Sequence, residues 1–208
     1  MSKVEFATVR TIVGDYPQGF LDLVRAFEAG PLRPKWEEVG WDGSDRAVKW
    51  YLSDYVFTGI PGTPARLEGH VGFASVKGSL ARPDGVALAR GITGATWNAA
   101  FPHDPGDPTA DVYAAIAELG HSRFGYLDAV IVREEFRRGG IGARLLRHVA
   151  HQLYFDGIRH LVVRCPPKDR DWLAPVLERK GFVLEHRYVR DDESFYGRNV
   201  TGWSFSSP

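Results

Sequence analysis

The sequence predicts a mixed α/β fold in a single domain, and three observations carry that prediction. Between Tyr126 and Gly157 an apolar, β-branched stretch runs into a glycine cluster and then into a helical pattern. Two extended patterns, Arg66 to Gly78 and Asp84 to Thr93, flank the turn residues Arg82-Pro83-Asp84-Gly85 and read as a hairpin. The 208 residues, 44% hydrophobic and 25% charged, suit one globular core and not a disordered or fibrous chain.

Taken in order, Lys3 to Val13 is rich in Val, Thr, Phe and Ile and reads as a first strand, which Gly14-Asp15-Tyr16-Pro17 ends. Phe20, Leu21, Leu23, Val24 and Phe27 then recur at helical spacing up to Gly30. Prolines and glycines break the stretch from Pro31 to Gly43, and Ala47 to Phe57 reads as a second, aromatic-rich helix. After the hairpin, Gly94 to Asp107 is loop-like and Pro108 to Leu119 reads as a short helix. A long loop in a compact domain is more often functional than idle, so the 94–120 stretch is read as a substrate lid or as the contact of a homodimer.

Leu127 to Val132 is the strand of the central segment, and Gly139, Gly140 and Gly142 form the turn after it. Ile141, Leu145, Leu146, Val149 and Leu153 then mark one face of an amphipathic helix that Gly157 ends. His160 to Cys165 is a further strand, broken by Pro166-Pro167. Asp169 or Asp171 caps a helix running to Lys180, with Pro175 predicting a late start or a kink. Phe182 to Arg190 and Thr201 to Phe205 read as a closing pair of strands.

The strand, glycine turn and helix together point to a phosphate. The first N–H groups of a helix lack intrahelical partners and face the positive end of its dipole, so an anion is stabilised there when it can approach the backbone. Glycines clear that approach, and Arg137 and Arg138 add cations beside it. The competing phosphate motifs are missing: there is no Gly-x-x-x-x-Gly-Lys-Ser/Thr, and no Gly-x-Gly-x-x-Gly opens a βαβ unit near the amino terminus.

Arg137-Arg138-Gly139-Gly140-Ile141-Gly142 resembles the Arg/Gln-x-x-Gly-x-Gly/Ala motif of the GNAT superfamily of acyl-CoA-dependent N-acyltransferases, and Val132 stands where that family ends the preceding strand on Val. Leu177-Glu-Arg-Lys-Gly-Phe182 is similar to the family's helix-to-Gly-Phe signature. The resemblance covers Tyr126 to about Tyr188, the acyl-CoA-binding core. Residues 1–121 are less distinctive and form the acceptor side. It implies a sheet that is antiparallel through its first strands and turns parallel at the motif strand, with helices on both faces. It also implies acetyl-CoA, or another acyl-CoA, as co-substrate. The pantetheine arm would pair with Val130, Ile131 and Val132, and the pyrophosphate would sit on the N–H groups of Arg138, Gly139, Gly140, Ile141, Gly142 and Ala143, beside Arg137.

The reaction so implied is direct transfer of an acetyl group to an amine of a small molecule or peptide, which needs a base within hydrogen-bond reach of the amine. Asp128 lies on the motif strand, is read as sharing a face with Tyr126 and Val130, and is the candidate catalytic residue. The alternative is that Asp128 is paired structurally or faces water. His121 and Glu134 are weaker candidates. Where many family members carry a Tyr five residues before the Phe of Gly-Phe, this chain has Leu177, so the usual proton donor to the thiolate is missing. Tyr188, His186, Cys165 or water stand as substitutes. Two other readings remain beside catalysis of amine acylation: a non-catalytic acyl-CoA-binding or sensing module, and acylation of a macromolecule.

Composition narrows the partners. Lys and Arg balance Asp and Glu at 26 each, which argues against a nucleic-acid partner. The single cysteine, Cys165, allows no intrachain disulfide and reads as a buried small hydrophobe. The seven histidines show no metal-ligand spacing, so no metal is expected. The stretch from Met1 to Phe20 has no signal-type apolar core and nothing approaches the ~20 apolar residues of a membrane span, so the expectation is a cytoplasmic chain. Trp36, Trp41, Trp50, Tyr51, Tyr55 and Phe57 invite a cation cage, although their helical spacing favours core packing.

Overall fold

The structure, a computed structural model, describes residues 6–28, 44–53, 55–56, 71–93, 123–165, 169–187 and 194–200. In chain order these form β1 (Phe6–Val9), α1 (Gln18–Glu28), α2 (Asp45–Leu52), β2 (Val71–Gly78), β3 (Pro83–Thr93) and β4 (Arg123–Val132). A 3-10 turn (Glu134–Phe136), α3 (Ile141–Phe155), β5 (His160–Cys165), α4 (Arg170–Arg179), β6 (Val183–Arg187) and β7 (Ser194–Asn199) follow. The strands are hydrogen-bonded in the order β1-β2-β3-β4-β5-β7-β6. The β1·β2 pair is antiparallel and β4·β5 is parallel, so the sheet is mixed, as expected. The 94–120 stretch, His121, Trp36, Trp41, Phe57, Tyr188 and Thr201 to Phe205 lie outside the described residues.

Contacts divide the chain into two compact units. The first holds β1, α1, α2, Val71–Ala89 and Ala129–Val149. Its core forms because α1 and α2 each carry one apolar face. Phe20, Leu21 and Val24 with Val48 and Leu52 bury against Val9, Ala74, Val76, Val86, Leu88, Ala129 and Ile131 of the strands. Each Val, Leu, Ile or Phe among them contributes about 1.5–3 kcal/mol by leaving water. Arg25 bridges α1 to α2 by pairing with Asp22 and Asp45, and the Tyr16 hydroxyl donates to Val56 O at 2.6 Å. Tyr51 and Tyr55 are buried in this core and stack edge to face at 5.4 Å, which makes them packing residues and not cage walls.

The second unit holds Arg90–Asp128 and Ala150–Pro208. Here Gly125, Tyr126 and Leu127 of β4 pair with Leu161, Val162 and Val163 of β5. Strand β7 lies between β5 and β6 and is antiparallel to both. Helix α4 keeps Pro175 inside it, and the residue at its amino-terminal cap is Asp169. That carboxylate does not cap the backbone; Oδ1 accepts instead from Trp172 Nε1 at 3.0 Å. At the other end the Gly181 N–H donates to Glu178 O at 2.8 Å and the Phe182 N–H to Leu177 O at 3.0 Å. This pair of bonds is the Schellman cap, and both Phe182 and Leu177 are buried there.

Two expectations are corrected. The first strand is shorter than Lys3 to Val13, since Arg10 already leaves the extended pairing. The hairpin turn lies before Pro83, where the Arg82 N–H donates to Ser79 O at 3.2 Å and to Ser79 Oγ at 3.1 Å. Pro83, Asp84 and Gly85 belong to β3. β6 pairs with Ser194–Asn199; the partner expected from the sequence, Thr201 to Phe205, lies outside the described residues. In the second unit a Cβ on Gly125 would press on Leu153 of α3; in the first, Val130 and Val132 lie against Gly142, and Ala129 and Ile131 join the core with α1 and α2.

Candidate functional site

The glycine turn lies within the first unit, between the end of β4 and the start of α3. Val132 ends the strand, and Arg137 Nε donates back to its carbonyl at 3.2 Å. The 3-10 turn is closed by the Phe136 N–H on Arg133 O at 3.0 Å and the Arg137 N–H on Glu134 O at 3.1 Å. Arg138 then adopts φ 65° and Gly140 φ 77°, two left-handed residues that swing the chain into the helix. The first backbone bond of α3 is Arg144 N–H to Gly140 O at 3.1 Å. Among the described residues, no acceptor takes the N–H groups of residues 138–143.

This turn is open where it needs to be. Residues 134–140 are exposed, and a Cβ built on Gly140 would meet nothing within 4 Å. Gly139 would meet only Phe136 O at 3.4 Å, and Gly142 only the Val130 and Val132 side chains, at 3.7 and 3.9 Å. The three glycines therefore do not serve internal packing. They leave one end of α3 with a row of unsatisfied donors, the positive end of its dipole, and the exposed guanidinium groups of Arg137 and Arg138 beside it. The structure thus brings together Val130, Ile131, Val132, Arg137, Arg138, Gly139, Gly140, Ile141, Gly142 and Ala143 as one continuous strand end, turn and helix start. Ile131 points into the core and is half of neither face of the turn, whereas Val130 and Val132 are half-buried on the α3 side.

Asp128 is in the second unit and forms an ion pair with Arg90 of β3. Both side chains are largely buried, 9% exposed for Arg90 and 15% for Asp128. The carboxylate that would receive the amine's proton is therefore already engaged by a guanidinium. Sequence reasoning missed Arg90. Its signal was a lone cation in the apolar stretch Val86 to Ala89, where a charge is buried only with a partner. It also missed Arg133, whose side chain reaches two main-chain carbonyls.

The remaining candidates separate plainly. Glu134 is exposed in the 3-10 turn, and the side chain of His186 lies outside the described residues. Leu177 is buried at 2% exposure and its carbonyl serves the α4 cap, so it is a core residue. Cys165 is buried, and burial pushes its thiol above the ordinary range, which keeps it protonated and a poor nucleophile. Among the described residues, no cluster of three or more His, Cys, Asp or Glu side chains is placed to hold a metal ion. No described helix is long and apolar enough to cross a membrane.

Residues 108–184 match the family model described as FR47-like protein. No curated protein matches the chain. Among solved structures it is similar to a protein from Desulfovibrio desulfuricans assigned to the GNAT family of acetyltransferases, at 17% identity, TM-score 0.55, and coverage of 94% of this chain and 99% of that one. It is also similar to a polyamine N-acetyltransferase from Drosophila melanogaster, at 13% identity, TM-score 0.52, and coverage of 94% and 100%. The PaiA N-acetyltransferase from Thermoplasma acidophilum, solved in complex with coenzyme A, matches at 10% identity, TM-score 0.52, and coverage of 94% and 99%. The resemblance read from Arg137 to Gly142 therefore holds: the chain has the fold of the GNAT acetyltransferases, and the FR47-like match spans its strand, turn and helix.

Proposed function

We propose that this protein is an acyl-CoA-dependent N-acyltransferase that moves an acetyl group to the amine of a small molecule or peptide. The observation that carries the reading is the row of N–H groups at residues 138–143, left without acceptors around an exposed Gly140. A pyrophosphate supplies the anionic oxygens such a row takes. Val130 to Val132 offer the edge of β4 to the pantetheine amides, in the manner of an added strand. Acyl-CoA supplies the activated carbonyl, and the protein's part is to hold it, exclude water and manage the amine's proton. The small-molecule acceptor is supported by solved relatives of this fold, one of which forms N-acetylagmatine.

Asp128 is the proposed proton acceptor, through a carboxylate oxygen, with Arg90 fixing the carboxylate on β4. Asp128→Asn should lower turnover by about 100- to 10,000-fold while leaving acetyl-CoA affinity near that of the parent. Raising the pH should restore part of that loss, since more of the amine is then already deprotonated. A variant that turns over at the parental rate at neutral pH makes Asp128 a structural partner of Arg90. The reading as a whole is tested by calorimetric titration with acetyl-CoA and by thioester consumption across a panel of amines.

A second reading, an acyl-CoA-binding module without turnover, is favoured by two observations: the Arg90 contact on Asp128, and a buried Leu177 where the resemblance implies a Tyr. Binding of acetyl-CoA without consumption of the thioester by any amine selects this reading.

A further inference from the structure

Arg133 stands between the last residue of β4 and the 3-10 turn, and it is tied to three segments at once. Its N–H donates to Asp84 O at 3.0 Å, and its carbonyl accepts from the Phe136 N–H at 3.0 Å. Its Nε donates to Pro83 O at 2.6 Å, and Nη2 donates to Gly19 O at 3.2 Å. One residue thus holds two successive carbonyls of β3, the first turn of α1 and the start of the 3-10 turn. The junction is tight, because a Cβ on Gly19 would collide with Ala81 O of the β2–β3 turn.

We infer that Arg133 is a positioning residue for the phosphate-binding turn. It fixes where β4 stops, and through the three residues of the 3-10 turn it fixes the direction in which the N–H groups of residues 138–143 point. The inference rests on the acyl-CoA reading for the identity of the ligand, and on the hydrogen bonds alone for the clamp. Both side-chain acceptors are main-chain carbonyls in different directions, so the site needs a planar fork with separate donors at Nε and Nη2. A lysine there places all its donors on one atom and reaches one carbonyl at a time. Arg133 does not touch the ligand; it acts through the turn.

Three variants of the full chain test this: Arg133→Met, Arg133→Lys, and Tyr16→Phe as a control that removes a buried hydrogen bond of the same unit. Each is measured for acetyl-CoA affinity, melting temperature and hydrogen exchange of the turn amides that are hydrogen-bonded, Phe136 and Arg137. Arg133→Met should weaken acetyl-CoA about ten-fold, as a small misplacement of binding groups does, and should speed exchange of the turn amides about ten-fold by local opening. Arg133→Lys should fall between Met and the parent. Tyr16→Phe should lower the melting temperature and change neither. The inference is overturned if Arg133→Met exchanges its turn amides and binds acetyl-CoA as the parent does while melting lower. If the parent itself does not bind acetyl-CoA, the ligand reading falls and exchange decides the clamp: faster turn exchange in Arg133→Met upholds it, and unchanged exchange overturns it.

Discussion

The two ends of α3 use the same backbone device for opposite purposes. Gly140 before the helix has φ 77° and Gly157 after it has φ 79°, and neither would bring a Cβ within 4 Å of another atom. At the carboxyl-terminal end the carbonyls of Gln152, Leu153 and Tyr154 all accept hydrogen bonds. The Gly157 N–H donates to Tyr154 O at 3.1 Å and the Ile158 N–H to Leu153 O at 2.9 Å, while Arg159 Nη1 adds a bond to Tyr154 O at 2.7 Å. At the amino-terminal end the N–H groups of residues 138–143 have no acceptor among the described residues. A left-handed glycine is therefore no sign of a ligand by itself. The sign is what the surrounding polar groups are left to do, because a helix end without partners is costly unless water or a ligand meets it.

The largest effect is expected at Gly140. Gly140→Val should weaken acetyl-CoA by about 100-fold, the loss of one or two charge-assisted hydrogen bonds, while the circular dichroism keeps its parental shape. Parental affinity in calorimetry would remove the assigned site. Next come the twin substitutions Gly140→Ala and Gly157→Ala. Both place an alanine at nearly the same left-handed φ with nothing to strike, so each should cost about 1–2 kcal/mol, read as a fall of roughly 2–8 °C in melting temperature for a chain of this size. Only the first should weaken acetyl-CoA; equal effects of the two on binding would show that the helix, and not its open end, matters.

Smaller effects sharpen the same contrast. Arg138 holds a left-handed conformation without being glycine, so Arg138→Gly should relieve strain. After the entropy that glycine adds to the unfolded chain, the net gain is about 0.5 kcal/mol. Its affinity for acetyl-CoA should fall a few-fold as a cation is lost, so stability and binding move in opposite directions. Arg159→Ala at the other end should cost about 0.5–1 kcal/mol through the carbonyl and the helix dipole, with acetyl-CoA binding unchanged. Chemical denaturation resolves both.

The turn and its helix were legible because their causes are local: β-branched residues, three glycines and a four-residue apolar repeat all lie between Leu127 and Gly157. The same is true of α4, whose Gly-Phe ending is a cap that the chain closes on itself. What was misread depends on distant partners. Pro83-Asp84-Gly85 has turn chemistry, yet it is drawn into β3 by the bonds that Arg133 makes to Pro83 O and Asp84 O. Gly85 has a packing reason too, since a Cβ there would crowd Ile131 O at 3.0 Å and Leu145 Cδ1 at 3.1 Å. The ion pair of Asp128 with Arg90 joins positions 38 residues apart, which no short-range pattern reports.

The first strand has a kinetic consequence. Phe6 pairs with Lys77 and Val9 with Ala74, so β1 enters the sheet only by closing a loop of about seventy residues that includes α1 and α2. The chain loses that entropy before four short pairings return anything, and the cost grows with the logarithm of loop length. In the refolding protein β1 should therefore dock late, after the β2–β3 hairpin, whose partners lie a few residues apart. It should also be the strand whose amides exchange fastest in the native state, so the edge of the sheet is the first part of the molecule to open and the last to close.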